Sequence, residues 1–190
     1  MRMGRETLKN MILKHGLVDD YEDLEKQITA NGIDFRVGAV VEVVEAGTMR
    51  INKADCDMPK FGQVWAMDGF EHVVSDIECG QKQVVPKGTL VELKKGVPYL
   101  FITCEKVNTP KDYNFTIQCR SSLFRMTQSV LATAFGEAGY RGVLTLMVVP
   151  VLDTGVDIGV RFCQIVFSKL DSSSHYELQK EASYQDGKII

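Results

Sequence analysis

The sequence predicts a mainly β fold, a distorted jelly roll or barrel-like protomer with a short N-terminal helix and few other helices. Three observations support this. From Asp34 onward, short β-branched or alternating runs follow one another: FRVGAVVEVVEAG, KGTLVELKKG, YLFITCEKV, NFTIQC, SVLATAF, GVLTLMVVPVL and RFCQIVFSKL. Gly, Pro, Asp and Asn punctuate them as turn residues. No long helical period recurs between the runs, so the βα alternation of a parallel sheet is missing.

Taken in order, RETLKNMILKH (residues 5–15) sets Leu8, Met11 and Ile12 at helical spacing, and Gly16 supplies a stop. DDYEDLEKQI is a charged connection with room for a second short helix. Residues 52–83 are the least patterned and read as an insertion or meandering arm. Ser129 to Phe135 reads as a strand, GEAG as a Gly-bounded turn, and the chain from Tyr140 as the return strand of a hairpin. The polar tail DSSSHYELQKEASYQDGKII is either a frayed end or a flap over a ligand. One domain over 1–190 is expected, with a helical extension (1–30), a β core (31–170) and the tail (171–190).

A net charge of -3 excludes a globally basic nucleic-acid binder. No apolar run approaches the roughly 18 to 20 residues of a membrane span, and the charged N-terminus MRMGRETLKNMILKHG has no signal-peptide core. The expectation is a cytoplasmic protein with neither nucleic acid nor membrane as partner. Five cysteines and three histidines are scattered without a CxxC or CxxxH pair, so buried thiols and surface imidazoles are the plain reading. Chemistry based on Cys or His is not expected.

Four stretches carry polar groups where apolar strands surround them. In CRSSLFRM, Arg120, Ser121, Ser122 and Arg125 gather just as a strand ends. Forked guanidinium donors, short hydroxyl donors and the N–H groups of a helix start suit phosphate oxygens; a plain serine cap with solvated arginines is the other reading. The GEAG turn holds Glu137 three residues before Tyr140. A carboxylate and a ring there suit a base and a sugar platform, or simply a solvated turn. Gln164 interrupts the apolar run RFCQIVF, where an amide needs a partner. Asp34 sits between Ile33 and Phe35, as a turn residue or one carboxylate near a hydrated metal.

The order NGIDFRVG, RSSLFRM, hairpin with an acid before Tyr-Arg-Gly, then RFCQIVF resembles the dUTPase and dCTP deaminase superfamily, over roughly Asn31 to Leu170. The helical N-terminus is similar to the dCTP deaminase branch, which includes archaeal dUTPases. The resemblance implies that Arg120, Ser121, Ser122 and Arg125 grip a triphosphate and that Gln164 approaches it. It implies that Glu137 stands for the Asp that holds the 3′-hydroxyl and activates water, with Arg125 as its catalytic companion. Tyr140 would lie under deoxyribose, while Ala134, Thr145, Leu146 and Met147 would read the pyrimidine. Asp34 matches the first-motif acid near a metal, and Tyr176 and Gln185 match a closing C-terminal segment.

In the deaminases a return-strand Glu moves the protons. Met147 stands there in this sequence, and a thioether cannot. The resemblance therefore implies a dUTP diphosphatase using Mg2+, active as a homotrimer with sites between subunits. The alternatives are a non-catalytic nucleotide-binding protein on the same fold, or a dCTP deaminase.

Overall fold

A computed structural model describes residues 1–174. The chain begins with α1 (Arg5–His15), β1 (Val18–Asp19) and α2 (Leu24–Gln27), followed by β2 (Ile33–Glu45), β3 (Lys60–Met67) and β4 (Cys79–Val85). It continues through β5 (Leu90–Leu93), β6 (Tyr99–Asn108), β7 (Tyr113–Cys119), α3 (Ser121–Thr127), β8 (Ser129–Ala132), β9 (Phe135–Gly136), β10 (Arg141–Pro150), β11 (Thr154–Asp157) and β12 (Arg161–Lys169). The expected mainly β fold is present.

Helix α1 forms as its spacing predicts. Leu8 and Ile12 turn inward, and Gly16 closes the helix in the left-handed region, its N–H bonding back to Ile12. The expected second short helix is α2, whose first turn Asp23 caps by accepting the Lys26 N–H.

One curled sheet runs in the order β8-β10-β6-β2-β12-β7-β9, with β1 added to β6 and β3–β4 added to β2. Strand β2 holds it together: its first residues pair with β12, and the rest pairs with β6 on one side and β3 on the other. Both faces of that stretch are covered, which is why FRVGAVV reads as a continuous apolar run rather than an alternating one. The main core packs Leu8, Leu17, Phe35, Phe101, Phe162 and Phe167 inside the curl, closed over by the small β5–β11 sheet.

Two expectations are corrected. Residues 52–83 are not an arm: they supply β3 and β4, a parallel pair at the sheet margin, over a second cluster of Val41, Val64, Val73, Val74 and Ile102. The segment KFGQVWAM alternates, but a glycine and polar residues on the outer face hide it. The expected hairpin is split. β8 pairs with β10 over Ala132↔Met147 to Ser129↔Pro150, but the chain then crosses to β7 as β9. Gly136 permits this, because a Cβ there would come within 2.2 Å of the Phe115 ring.

Candidate functional site

The phosphate-like cluster sits where β2, β12 and β7 run side by side. Gln164 on β12 is the cross-strand partner of Asp34 on β2 and of Gln118 on β7, two residues before Arg120. This register puts polar side chains of three strands in one row. Asp34 is buried and receives Arg120 Nε at 2.9 Å and Arg161 at 3.5 Å. Burial pushes its carboxyl up, against the pull of the two guanidinium groups. Arg120 also donates to the Arg161 carbonyl at 2.7 Å, so its fork is locked. Gln164 donates to the Thr29 hydroxyl at 2.7 Å, leaving its carbonyl oxygen as the other pole of the amide.

From this anchored base α3 projects. Its N-cap is Arg120, with no side-chain capping bond. The Ser121 and Ser122 hydroxyls therefore do not cap the helix; both residues are exposed, and neither hydroxyl has a hydrogen-bond partner among the described residues. Arg125 is exposed on the same helix, its guanidinium 5.9 Å from the Phe124 ring centre. Two free hydroxyls and an exposed cation beside a locked one make a surface suited to an anion with several oxygens.

The turn after β9 carries the second group. The Tyr140 N–H closes the turn on the Glu137 carbonyl at 3.2 Å. Its hydroxyl donates to the Val143 carbonyl at 2.7 Å, and its ring lies 6.3 Å from Phe115. Tyr140 is thus a fixed platform. The Glu137 carboxylate is half-exposed and forms no hydrogen bond or ion pair among the described residues. Ala134 lies two residues beyond the last β8–β10 pair, Ala132↔Met147. On β10, Thr145 and Met147 face outward while Leu146 is buried. Tyr176 and Gln185 lie outside the described residues.

A single protomer does not bring these two groups together. Gly136, next to Glu137, pairs with Phe115, and Arg120 lies five residues further along β7, ~17 Å away at ~3.4 Å per residue. β10 gives a second ruler. Tyr140 precedes its first residue, whereas Ser129, just after α3, pairs with its last, Pro150, nine steps away or ~30 Å.

The dCTP deaminase-like family model matches residues 2–170. The chain belongs to that family. It is 29% identical over 172 residues to a probable deoxyuridine 5'-triphosphate nucleotidohydrolase of Archaeoglobus fulgidus, covering 90% of this chain and 89% of that one. It is 27% identical over 176 residues to a dCTP deaminase of Halorubrum lacusprofundi, covering 90% and 78%. Among solved structures, a 2'-deoxycytidine 5'-triphosphate deaminase from Agrobacterium tumefaciens superposes with a TM-score of 0.58 at 19% identity. That match covers 87% of this chain, which spans about half (47%) of the Agrobacterium one, and speaks for the fold alone.

This dCTP deaminase-like chain also uses residues that the sequence did not single out. Glu105 is fully buried and accepts from Arg36 Nε at 2.6 Å, the Arg36 N–H at 2.7 Å and Gln27 Nε2 at 2.7 Å. Gln27 also donates to the Asp34 carbonyl at 3.0 Å, tying this network to the strand that holds Asp34. Arg161, at the head of RFCQIVF, is the third charge at Asp34. Sequence alone marked none of these: Gln27 lies in a charged connection, and Glu105 reads as an outward residue of an alternating strand. Burial pushes the Cys104 thiol up to about 12 and raises Cys163 as well, so neither is a ready nucleophile.

No group of three His, Cys, Asp or Glu among the described residues could hold a metal. Asp34 spends its carboxylate on two arginines. The described residues of one protomer thus offer no ready-made ligand set for a resident metal.

Proposed function

We propose that this chain is a dUTP diphosphatase, cleaving dUTP to dUMP and pyrophosphate. The observation that carries the reading is on β10. From Gly142 to Pro150 it holds no carboxylate, imidazole or thiol, and Met147 is exposed where the family resemblance puts the deaminase's proton-carrying Glu. Deamination needs a group that delivers and removes protons at the base. Hydrolysis at the α-phosphorus asks instead for charge and position. The similarity to the Archaeoglobus protein supports the same choice.

In this mechanism dUTP arrives with Mg2+ on its phosphates as part of the substrate. Ser121, Ser122 and Arg125 bind the chain of phosphates. Arg120, held by Asp34, presents a fixed positive charge, and Gln164 adds an amide beside it. Tyr140 packs under deoxyribose, and the backbone of Ala134 and Thr145 to Met147 meets the pyrimidine edge. Glu137 orients a water, which attacks the α-phosphorus and takes the place of the bridging oxygen of the departing pyrophosphate. A protonless platform around the base and a free carboxylate beside the sugar suit that division of labour. Tyr176 and Gln185 belong to this proposal as a segment closing over the nucleotide. A homotrimer with each site shared between protomers would unite the two separated groups.

The test incubates the protein with dUTP, dCTP, UTP and dTTP, with and without Mg2+, following pyrophosphate and ammonia separately. Pyrophosphate from dUTP alone, requiring Mg2+ and without ammonia, is the expected outcome. Ammonia from dCTP would sink the reading in favour of the deaminase named among the relatives. Tight dUTP binding with no release would leave a nucleotide-binding protein.

A further inference from the structure

A cleft of about 380 Å³ opens between β5 and the face formed by β2, β3 and β6. That volume is in the range of small-molecule sites, and none of its lining residues belongs to the nucleotide groups described above. β5 pairs only with β11 among the described residues, so its other edge is free to border the cleft. Val40 pairs with Trp65 and Glu42 with Tyr99, on opposite sides of β2. Cross-strand partners share a face, and so do residues two apart. Trp65, Glu42 and Tyr99 therefore stand on one face, an aromatic wall to either side of a carboxylate.

That carboxylate is held in place. Glu42 Oε2 accepts the Gln63 N–H at 3.2 Å, and a Cβ on Gly62 would come within 2.5 Å of the same oxygen. Its other oxygen has no partner among the described residues. On the opposite wall stand Glu92 and Lys94, with Leu90 as an apolar neighbour, 61% exposed. The Lys94 N–H donates to the Tyr99 hydroxyl at 3.0 Å, fixing that end of β5 to the wall. Glu42, Glu92 and Lys94 form no ion pairs among the described residues. The lining thus carries two acids against one cation, a surplus of one negative charge.

We propose that this cleft is a second ligand site, for a small organic monocation: an ammonium or guanidinium group on a short apolar stem. The Trp65 face attracts a cation through its ring quadrupole, and Glu42 offers a charge-assisted acceptor beside it. Leu90 covers a stem. The same charge surplus repels nucleotides, and Lys94 disfavours a second positive charge, so a diamine gains nothing over a monoamine.

Trp65 is the chain's single tryptophan, so its fluorescence reports on this cleft alone. The full-length protein is titrated with n-butylammonium and n-butylguanidinium at constant ionic strength, with 1-butanol and butyrate as neutral and anionic controls. Saturable emission changes are expected with both cations and with neither control. Glu42→Gln keeps an acceptor for the Gln63 N–H but removes the charge, and it should weaken cation affinity about tenfold or more. Lys94→Ala should let 1,4-diaminobutane bind more tightly than the monoamine. No saturable change with the cations, an equal response to 1-butanol, or unchanged affinity in Glu42→Gln would each overturn the proposal.

Discussion

Replacing Glu105 by Gln keeps the side chain's shape and removes its charge. Arg36 is then left buried, 5% exposed, without the carboxylate that took both its Nε and its backbone N–H. Removing one partner of a buried pair costs ~3–5 kcal/mol. Arg36 keeps the Asp20 carbonyl at 2.7 Å and the half-exposed Glu22 at 3.5 Å, which places the cost near the lower end, about 3 kcal/mol. For a chain of this length each kcal/mol moves the melting temperature by ~2–4 °C, so a fall of about 6–12 °C is expected. The assay is urea unfolding at one protomer concentration, with midpoints compared only where the slopes agree. The double change Arg36→Met with Glu105→Leu removes both charges and leaves the backbone N–H of residue 36 and one Gln27 Nε2 N–H without partners, a cost of ~1–3 kcal/mol each. The reasoning fails if Glu105→Gln costs less than about 1 kcal/mol, or if the double variant loses as much as the two single ones added together.

Two further outcomes follow from the same contacts. Gly136→Ala would drive a Cβ into Phe115, itself packed against Phe167 and Tyr140, so β9 should leave β7 at a cost of ~1–3 kcal/mol; because Glu137 is the next residue, turnover of dUTP should fall more than phosphate affinity, and unchanged kinetics would contradict this. Burial raises the Asp34 carboxyl above its ordinary 3.8, so the folded chain keeps a proton that the unfolded chain has lost just above that pH. Stability from this group is therefore complete below it and lost as pH rises through the raised value. Urea midpoints from about pH 3.5 to about pH 6 should show the unmodified protein losing ground to Asp34→Asn as pH rises, and the unmodified protein gaining on the variant would refute the sign.

What could be read from the sequence was whatever depends on neighbours in the chain. α1 is legible because Leu8 and Ile12 lie one turn apart and Gly16 ends the turn, and β12 because five of its nine residues, Phe162, Cys163, Ile165, Val166 and Phe167, are apolar. β3 and β4 escaped because β4 lies at the sheet edge, where one face can stay polar and solvent-exposed, as the exposed residues of CGQKQVV illustrate. Gly136 looked like half of a tight turn because only the position of Phe115, far back in the chain, makes it a crossing point. The Arg36–Glu105 pair joins residues 69 apart, and in YLFITCEKV the acid reads as an outward residue of an alternating strand. That Asp34 is an anchor for two arginines depends on register between strands, which no stretch of sequence shows.

The separation along β7 and β10 has a consequence that a mixing experiment can read. If Arg125 and Glu137 act in one site while the strands flanking them span ~17 to ~30 Å in one protomer, each site must take them from different copies. Arg125→Ala and Glu137→Gln should then each be inactive alone, since each spoils every site in a homo-oligomer. Refolding the two together in equal amounts draws copies at random. A site needs an intact Arg125 from one copy and an intact Glu137 from another, each present half the time, so about a quarter of sites are whole. Roughly a quarter of the full dUTP turnover should therefore return in the mixture. The same mixture cannot regain activity if both residues come from one protomer, because every copy carries one lesion. A blank result from a mixture whose copies have demonstrably exchanged would place Arg125 and Glu137 in one protomer's site and refute the separation.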